Sequence, residues 1–335
     1  MALNKRPLAF LLAVTENIAF AAGSVALGIN KYMAGEEYEI LVYYKSLRRE
    51  DLEAFQKIPH VRLKQFSLSQ DFVETMLRRI PAQSRFRDEN RLMCICHFEV
   101  FQILRDYKAA VWLDVDVSVQ GGIKEILEFA PFGITLDQPW LVKDNFTKPV
   151  DGYDMEAPGV CTAVMLVTDE LPYEDIYSWC YRRAVDYADR LINPDQAIIN
   201  LAIQEFDVRY RPMPYEDWQC VPWRDQASTA RIVHFATEKK IWSTSNIFNA
   251  FPEWQRTHMQ WRKLGGSDFA PGVVTLKSPV RSLDEFDAAK RNPVYLLVLG
   301  VPPLANLARK LRRALQKAVQ NLKSLRAATV EKQEQ

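Results

Sequence analysis

Cysteine and glycine are scarce in this 335-residue chain, and long hydrophobic runs are missing. Its five cysteines are an odd number without the dense spacing of a disulfide framework, which favours reduced thiols in a cytoplasmic protein. With 12 Gly and 18 Pro, collagen-like and low-complexity architectures are excluded. No stretch reaches the ~18 consecutive apolar residues that a membrane-spanning helix needs. What the chain does contain, 48% hydrophobic and 11% aromatic residues, is typical of one large α/β domain or two smaller ones.

The N-terminus has some features of a signal peptide, because Lys5 and Arg6 precede the apolar run 8–14. Glu16 and Asn17 end that run at the minimum length for such a signal. A buried first strand that ends in a polar turn explains the same pattern, and we favour the strand.

Strand-like apolar runs alternate with helical stretches along most of the chain. The predicted strands are residues 8–14, 38–44, 61–66, 109–119, 132–137, 162–168, 206–213 and 231–236, and the predicted helices include 20–33, 46–58 and 91–107. This alternation predicts an α/β fold with a mainly parallel sheet covered by helices on both faces. Ligands of such sheets bind beyond the carboxyl ends of the strands, so polar residues that follow an apolar run are candidates for function.

Asp114 and Asp116 follow the strongly apolar run 109–113. On a strand they would share one face, and burying two like charges without a partner is costly. A hard divalent cation such as Mg²⁺ or Mn²⁺ would remove that cost by binding both carboxylates. The alternative is a strand that ends in two solvated carboxylates, and the pair alone does not decide between them.

The sequence from Leu113 to Leu127 resembles the Leu-Asp-x-Asp-x-x-Val-x-Gly-x-Ile-x-Glu-Leu pattern of glycosyltransferase family 8. The resemblance implies a GT-A fold, which is a Rossmann-like sheet flanked by helices. It also implies that Asp114 and Asp116 hold Mn²⁺, or Mg²⁺ in its place, against the diphosphate of a nucleotide sugar, and that Val115 between them belongs to the same cofactor-binding segment.

Two further segments resemble the family in the same chain order. Ala13, Thr15 and Asn17 correspond to its nucleoside-binding first strand and turn, with Thr15 where the family has an acid. Segment 161–168 keeps the apolar core of a later family strand but lacks its two Asn residues and its Gly.

Asp195 and Gln196 begin a segment that resembles the family's Asp-Gln-x-x-x-Asn motif. The resemblance implies that Asp195 orients the donor sugar and that Gln196 lies beside its anomeric carbon. Without the resemblance, Pro194 followed by Asp195 is ordinary chemistry for a helix N-terminus, and this alternative stays open.

His234, Lys240 and Trp242 match the family's closing motif, His-Phe-x-Gly-x-x-Lys-Pro-Trp. The resemblance implies that His234 is the third metal ligand and that Lys240 contacts the diphosphate. A single His after an apolar strand is otherwise more often structural than a ligand.

Weaker candidates lie elsewhere in the chain. Arg91 and His97, both in the predicted helix 91–107, could reach the donor phosphates, although core packing or surface placement explains them equally well. Four tryptophans could stack on sugar rings, although burial is the commoner explanation for aromatic residues: Trp140, Trp218, Trp223 and Trp242.

The resemblance spans roughly residues 8–245 and implies an enzyme. That enzyme would be a retaining, metal-dependent transferase that moves a hexose from a UDP-sugar to a glycan or glycolipid acceptor, as in polysaccharide or lipopolysaccharide synthesis. A same-face substitution is favoured, because the resemblance puts Gln196 where a carboxylate nucleophile would be needed for two displacements. The alternatives are a catalytically inactive protein that binds nucleotide sugars or glycans and, less favoured, an Asp-dependent phosphohydrolase.

The net charge of +1 conceals two regions of opposite charge. Residues 291–335 hold nine Lys or Arg and two Glu, a charge near +7, while the preceding part holds 34 basic and 40 acidic residues, a charge near −6. We therefore divide the chain into a glycosyltransferase domain (1–265), a connecting segment (266–300) and a basic amphipathic helix (301–330).

The amphipathic helix 301–330 has apolar residues at three- and four-residue spacing and no acid, which suits an anionic membrane surface. It would place a cytoplasmic enzyme at the inner face of a membrane as a peripheral protein. The alternative is a helix packed on the body of the protein or on a second subunit of a homo-oligomer. Nucleic acid is disfavoured as a partner, because aromatic residues do not alternate with the basic ones and the body is acidic.

Overall fold

The structure, a computed structural model, describes residues 5–84, 86–236, 240–242 and 251–268, together with residues 304, 307, 310 and 311. The chain divides into two compact units, the first formed by residues 1–240 and 251–273 and the second by residues 241–250 and 274–335. The first unit contains all the strands and helices described below.

A seven-stranded sheet forms the centre of the first unit, with the strand order β3-β2-β1-β4-β7-β6-β8. Its strands are β1 (Arg6–Val14), β2 (Glu39–Tyr44), β3 (Val61–Gln65), β4 (Tyr107–Leu113), β6 (Phe132–Leu141), β7 (Pro158–Thr168) and β8 (Arg211–Pro212). A second, two-stranded sheet pairs β5 (Val117–Val119) with β9 (Ile232–His234). The helices are α1 (Ala19–Tyr32), α2 (Arg49–Gln56), α3 (Gln70–Arg79), α4 (Glu99–Gln102), α5 (Tyr173–Asp186), α6 (Pro194–Glu205), α7 (Tyr215–Trp218) and α8 (Pro252–Lys263).

The sheet is mostly parallel, as its continuous apolar strands predict. Strands β3, β2, β1 and β4 run parallel to one another, and β8 runs parallel to β6. The exception is β7, which is antiparallel to both of its neighbours, β4 and β6. The segment between β6 and β7 contains no helix longer than the 3₁₀ turn Val142–Asn145, so it provides no crossover of the kind that parallel neighbours need.

Four predicted elements differ from the structure. The predicted strand 109–119 is interrupted at residues 114–116, where the chain leaves the large sheet and enters the small one. The predicted helix 91–107 is mainly 3₁₀ helix, with only α4 in the α conformation. The predicted helix 46–58 is shortened to α2, and the predicted strand 206–213 is shortened to the two residues of β8.

Helices α1 and α8 pack closely because Gly23 lets the Trp261 ring approach the backbone of α1. A Cβ atom at Gly23 would lie 2.1 Å from the Trp261 ring, so no other residue fits there without movement. The indole is fully buried and also contacts the ring of Phe55, with 4.7 Å between the centroids. Trp261 therefore joins α8 to both α1 and the α2 region.

The segment that follows α8 is fixed by a buried carboxylate. The backbone N–H of Ser267 donates a 2.8 Å hydrogen bond to Oδ1 of Asp51, a fully buried residue of α2. The carbonyl of Ser267 accepts a 2.8 Å hydrogen bond from the Trp261 indole. The end of the first unit is thereby tied to residues more than 200 positions earlier in the chain.

None of the helices in the described part of the chain combines the length and hydrophobicity needed to cross a bilayer. Nearly all of the predicted segments 266–300 and 301–330 lies outside the described residues. Within the second segment, Leu304, Leu307 and Leu311 are described, and their side chains are exposed.

Candidate active site

Asp114 and Asp116 lie at the carboxyl end of β4, in the turn that leads to β5. They were expected to share one face of a strand, but the strand ends at Leu113 and both residues belong to the turn. The turn is fixed by a 2.9 Å hydrogen bond from the Asp114 N–H to the carbonyl of Ala163 on β7. With 30% and 17% of their side-chain surfaces exposed, both carboxylates remain accessible to a ligand.

The small sheet brings His234 to these carboxylates. Val117 pairs with His234 in the β5–β9 ladder, and the N–H of Phe235 donates a 2.9 Å hydrogen bond to the carbonyl of Asp116. The Nε2 atom of His234 lies 3.4 Å from Oδ1 of Asp116 and 4.0 Å from Oδ2 of Asp114. Residues 118 positions apart along the sequence are thus joined in one cluster by a three-residue strand pair.

Lys240 closes the cluster on the side of Asp116. Its ammonium group forms a hydrogen-bonded ion pair with Oδ2 of Asp116 and donates a 3.0 Å hydrogen bond to the carbonyl of Phe235. Lys240 was expected to contact the diphosphate, and the structure places its ammonium group beside the carboxylate of Asp116.

The carboxylates and their cationic neighbours shift one another's pKa values. Burial opposes ionisation of Asp114, but His97 and His234 outweigh it and hold the pKa of that carboxyl well below its usual value. Burial also opposes ionisation of Asp116, whose pKa is lowered by His234 and Lys240. Conversely, burial opposes the charged form of His234, but Asp116 raises the pKa of its imidazole well above the usual value. The site therefore stabilises two ionised carboxylates.

His97 connects the carboxylate pair to the N-terminus of α6. Its Nε2 atom lies 3.2 Å from Oδ1 of Asp114, and its Nδ1 atom lies 3.5 Å from Oδ2 of Asp195 and 2.9 Å from the carbonyl of Cys94. The ring packs on the Trp112 indole, with 3.8 Å between the centroids. Burial opposes its charged form, but Asp195 and Asp114 raise the pKa of the imidazole above its usual value.

Asp195 and Gln196 lie in the first turn of α6, the helix N-terminus that Pro194 and Asp195 indicate. Oδ2 of Asp195 accepts a 3.1 Å hydrogen bond from the hydroxyl of Thr162 on β7. Gln196 donates from Nε2 to Oδ2 of Asp137 at 3.0 Å and to Oδ1 of Asn145 at 3.1 Å. Burial raises the pKa of the Asp137 carboxyl, and the hydrogen bond from Gln196 acts in the opposite direction.

The remaining predicted donor-binding residues are at the end of β1, between the two aspartates and in the 3₁₀ segment Arg91–Phe98. Ala13 and Thr15 are at the carboxyl end of β1. Because β1 is parallel and adjacent to β4, the two strands end at the same edge of the sheet. The Thr15 hydroxyl donates a 2.6 Å hydrogen bond to Oδ1 of Asn17. Val115 is half-buried between the two aspartates, while Arg91 is exposed at the beginning of the 3₁₀ segment Arg91–Phe98. Within that segment, His97 rather than Arg91 contacts the carboxylates.

Sequence reasoning did not single out Asp137 or Asn145 as parts of the site. Asp137 follows the apolar run 132–136, so the rule that identified Asp114 applied to it as well. Asn145 comes from an irregular turn with no distinguishing pattern, and only the folded chain places it beside Gln196.

Asp114, Asp116 and His234 fit a divalent metal ion. Each offers one ligand atom, and these atoms all lie within 4.8 Å of one another. Two ligands of one Mn²⁺ or Mg²⁺ ion are roughly 3–4.2 Å apart, because each metal–ligand bond is about 2.1 Å long. The 3.4 Å and 4.0 Å separations of His234 from the two carboxylates fall in this range. Two carboxylates and an imidazole are suitable donors for such an ion.

Comparisons with known proteins find similar structures but no similar sequences. No family model matches it, and no curated protein matches its sequence. The structure is similar to that of the bifunctional glycosyltransferase WbbM, with 15% identity, a TM-score of 0.54 and 78% of this chain covered. The match covers 53% of the WbbM chain, so this chain spans about half of that protein.

A second similar structure is the galactosyltransferase LgtC in complex with donor and acceptor sugar analogs. It shares 13% identity and a TM-score of 0.52, and the match covers 79% of this chain and 100% of LgtC. An active-site mutant of LgtC gives a TM-score of 0.54 at 13% identity, with 76% of this chain and 94% of that chain covered. The likeness to these enzymes establishes the fold, so the chain has the GT-A glycosyltransferase fold that its sequence predicts.

Proposed function

We propose that the protein is a metal-dependent, retaining glycosyltransferase of family 8 type, which moves a hexose from a UDP-sugar to a glycan or lipid-linked acceptor. The observation that carries this proposal is the convergence of Asp114, Asp116 and His234 within 4.8 Å, beyond the carboxyl end of β4, with Lys240 beside them. Ligands bind at this edge of an open α/β sheet. The donor and acceptor sugar analogs held by LgtC, which has a similar fold, support the same assignment.

In this proposal Asp114, Asp116 and His234 hold Mn²⁺ or Mg²⁺. The ion supplies, when bound, a Lewis-acid charge that stabilises the departing nucleoside diphosphate. Lys240 adds a second positive charge at the same place, since Asp116 and the carbonyl of Phe235 hold its ammonium group there. Ala13, Thr15 and Asn17, at the end of the adjacent strand, are proposed to contact the nucleoside.

The reacting sugar is proposed to lie against the N-terminus of α6. Asp195, which accepts a hydrogen bond from Thr162 and lies beside His97, is assigned to accept hydrogen bonds from the sugar hydroxyls. Gln196 would lie beside the anomeric carbon. Because its side chain is an amide and not a carboxylate, a same-face substitution that retains the anomeric configuration is favoured over two displacements.

The proposed activity is tested by measuring hydrolysis of a panel of UDP-sugars with and without Mn²⁺. We expect hydrolysis of a preferred donor in the presence of Mn²⁺ and its loss on chelation, because both the charge stabilisation and donor binding depend on the ion. Absence of binding to every UDP-sugar contradicts the proposal. Metal-dependent binding without turnover instead supports the alternative of a catalytically inactive sugar-nucleotide-binding protein.

The basic segment 301–330 is proposed to hold the enzyme at an anionic membrane surface, where a lipid-linked acceptor would be available. We expect the full chain to bind vesicles that contain anionic lipid and the chain truncated after residue 300 to lose that binding. Equal binding by the two chains in a vesicle sedimentation assay contradicts this proposal.

A further inference from the structure

Both N–H groups of the Gln196 side chain are used by neighbouring acceptors. Nε2 donates to Oδ2 of Asp137 at 3.0 Å and to Oδ1 of Asn145 at 3.1 Å. The donor in both hydrogen bonds is the amide nitrogen, so the atom of Gln196 that faces Asp137 and Asn145 is Nε2 and not Oε1. Oδ1 of Asn145 also accepts from Nδ2 of Asn193 at 3.3 Å, which makes the Asn145 oxygen the acceptor for two amide groups.

Asn145 is well placed to act as a fixed acceptor. It is buried, with 2% of its surface exposed, at the end of the 3₁₀ turn Val142–Asn145. Its carbonyl accepts a 2.9 Å hydrogen bond from the N–H of Ile192, and Phe146 forms a β-bridge with Leu191. The turn after β6 is therefore tied to the loop that precedes α6, and α6 is the helix that contains Gln196.

The main chain of Gln196 is fixed independently of its side chain. Nδ2 of Asn200 donates a 2.8 Å hydrogen bond to the carbonyl of Gln196 and a 3.2 Å hydrogen bond to the carbonyl of Val160 on β7. The backbone and the amide nitrogen are thus both held. Gln196 is half-buried, and its Oε1 is the polar side-chain atom that these contacts leave available.

We propose that Asp137 and Asn145 are positioning residues that hold the Gln196 amide so that Oε1, and not the NH₂ group, faces the reacting sugar. We refer to these two acceptors as the amide clamp. This inference rests on the proposed glycosyl transfer. As the bond to the diphosphate breaks, positive charge develops at the anomeric carbon, and the carbonyl oxygen is the end of the amide that this charge attracts. An amide released to rotate would also present its NH₂ group, which repels that charge.

The kinetic test compares two substitutions. Asn145→Leu replaces the acceptor by an apolar side chain of similar size, and Asn145→Asp keeps an acceptor oxygen. We expect kcat for donor hydrolysis to fall about 10- to 100-fold in Asn145→Leu with the donor KM little changed, because the loss is of orientation and not of donor affinity. Asn145→Asp should restore most of kcat. Gln204→Leu is the matched control, since it removes another side-chain amide of α6, whose hydrogen bonds within the described part of the chain go to the main chain of Asp154.

A second measurement needs no activity. The protein is labelled with ¹⁵N at glutamine for NMR, and the Gln196 signal is assigned by its loss in Gln196→Glu. We expect slow solvent exchange of the Gln196 NH₂ protons. Protection of these protons from exchange should persist in Asn145→Asp and be lost in Asn145→Leu. If Asn145→Leu does not fold, Asn145→Ala takes its place.

The outcomes separate the two proposals. Rapid exchange of the Gln196 NH₂ protons in the wild-type protein overturns the amide clamp whatever the activity is. An active wild-type enzyme whose kcat is unchanged in a folded Asn145→Leu protein also overturns it. Protected NH₂ protons in a protein that binds no UDP-sugar would support the clamp as a structural feature and reject the proposed transfer reaction.

Discussion

Replacing Asp116 by Asn is expected to reduce metal-dependent donor hydrolysis by at least about 1000-fold, because charge stabilisation at the departing diphosphate is the largest contribution of such a site. The substitution keeps the shape of the side chain but removes the charge that binds Lys240 and faces His234. An amide oxygen is also a poorer ligand than a carboxylate for a hard divalent ion. Binding of Mn²⁺, followed by electron paramagnetic resonance, should weaken in parallel with the loss of activity.

The control for this substitution is Asp186→Asn. Asp186 forms an exposed ion pair with Arg183 at the end of α5, and surface pairs of this kind contribute little. Activity and Mn²⁺ binding should therefore match the wild-type protein. If Asp116→Asn retains both, Asp116 is not a metal ligand and the assigned metal site is wrong.

Truncation of Trp261 to Ala is expected to lower the free energy of unfolding by about 3–5 kcal/mol, the usual cost of removing a buried Trp side chain. The indole is fully buried between α1 and α8 and holds the Ser267 carbonyl, so the substitution leaves both a cavity and an unpaired acceptor. The melting temperature should fall by roughly 6 °C or more. Trp223→Ala is the matched control, since 52% of the Trp223 surface is exposed and its loss should change stability little.

A double-mutant cycle with Gly23→Ala tests whether the two residues act together. The added methyl group alone should be destabilising, because its carbon would lie 2.1 Å from the indole ring. In the Trp261→Ala background the same methyl enters the vacated space, so its cost should largely disappear. Additive effects of the two substitutions would show that the ring does not occupy the position described.

Much of the fold was predictable because burial on both faces of a parallel strand requires continuous apolar sequence. Strands β1, β2 and β4 are recognisable on that basis alone. The reversal of β7 was not predictable, because a strand buried on both faces has the same apolar pattern in either direction. The 3₁₀ conformation of residues 91–98 was also missed, since its periodicity differs too little from that of an α-helix in a short apolar segment.

Site residues that directly follow a strand were predictable from the sequence. Site residues that are recognisable only by their tertiary contacts were not. Asp114, Asp116 and His234 follow or end apolar runs, and the structure brings them together as predicted. His97 was left among the weaker candidates, because nothing local shows that its ring bridges residues 114 and 195. Such a contact is a property of the whole sheet and of the helices packed on it.

The attachment of residues 261–267 to α1 and α2 has a consequence for folding during synthesis. Gly23 and Asp51, which receive Trp261 and Ser267, are made more than 200 residues before these partners leave the ribosome. Until then, Asp51 lacks the N–H that binds it in the folded state, and the surface around Gly23 lacks its aromatic cover. A nascent chain that carries the complete central sheet therefore still exposes this surface, and the last helix of the first unit completes its core.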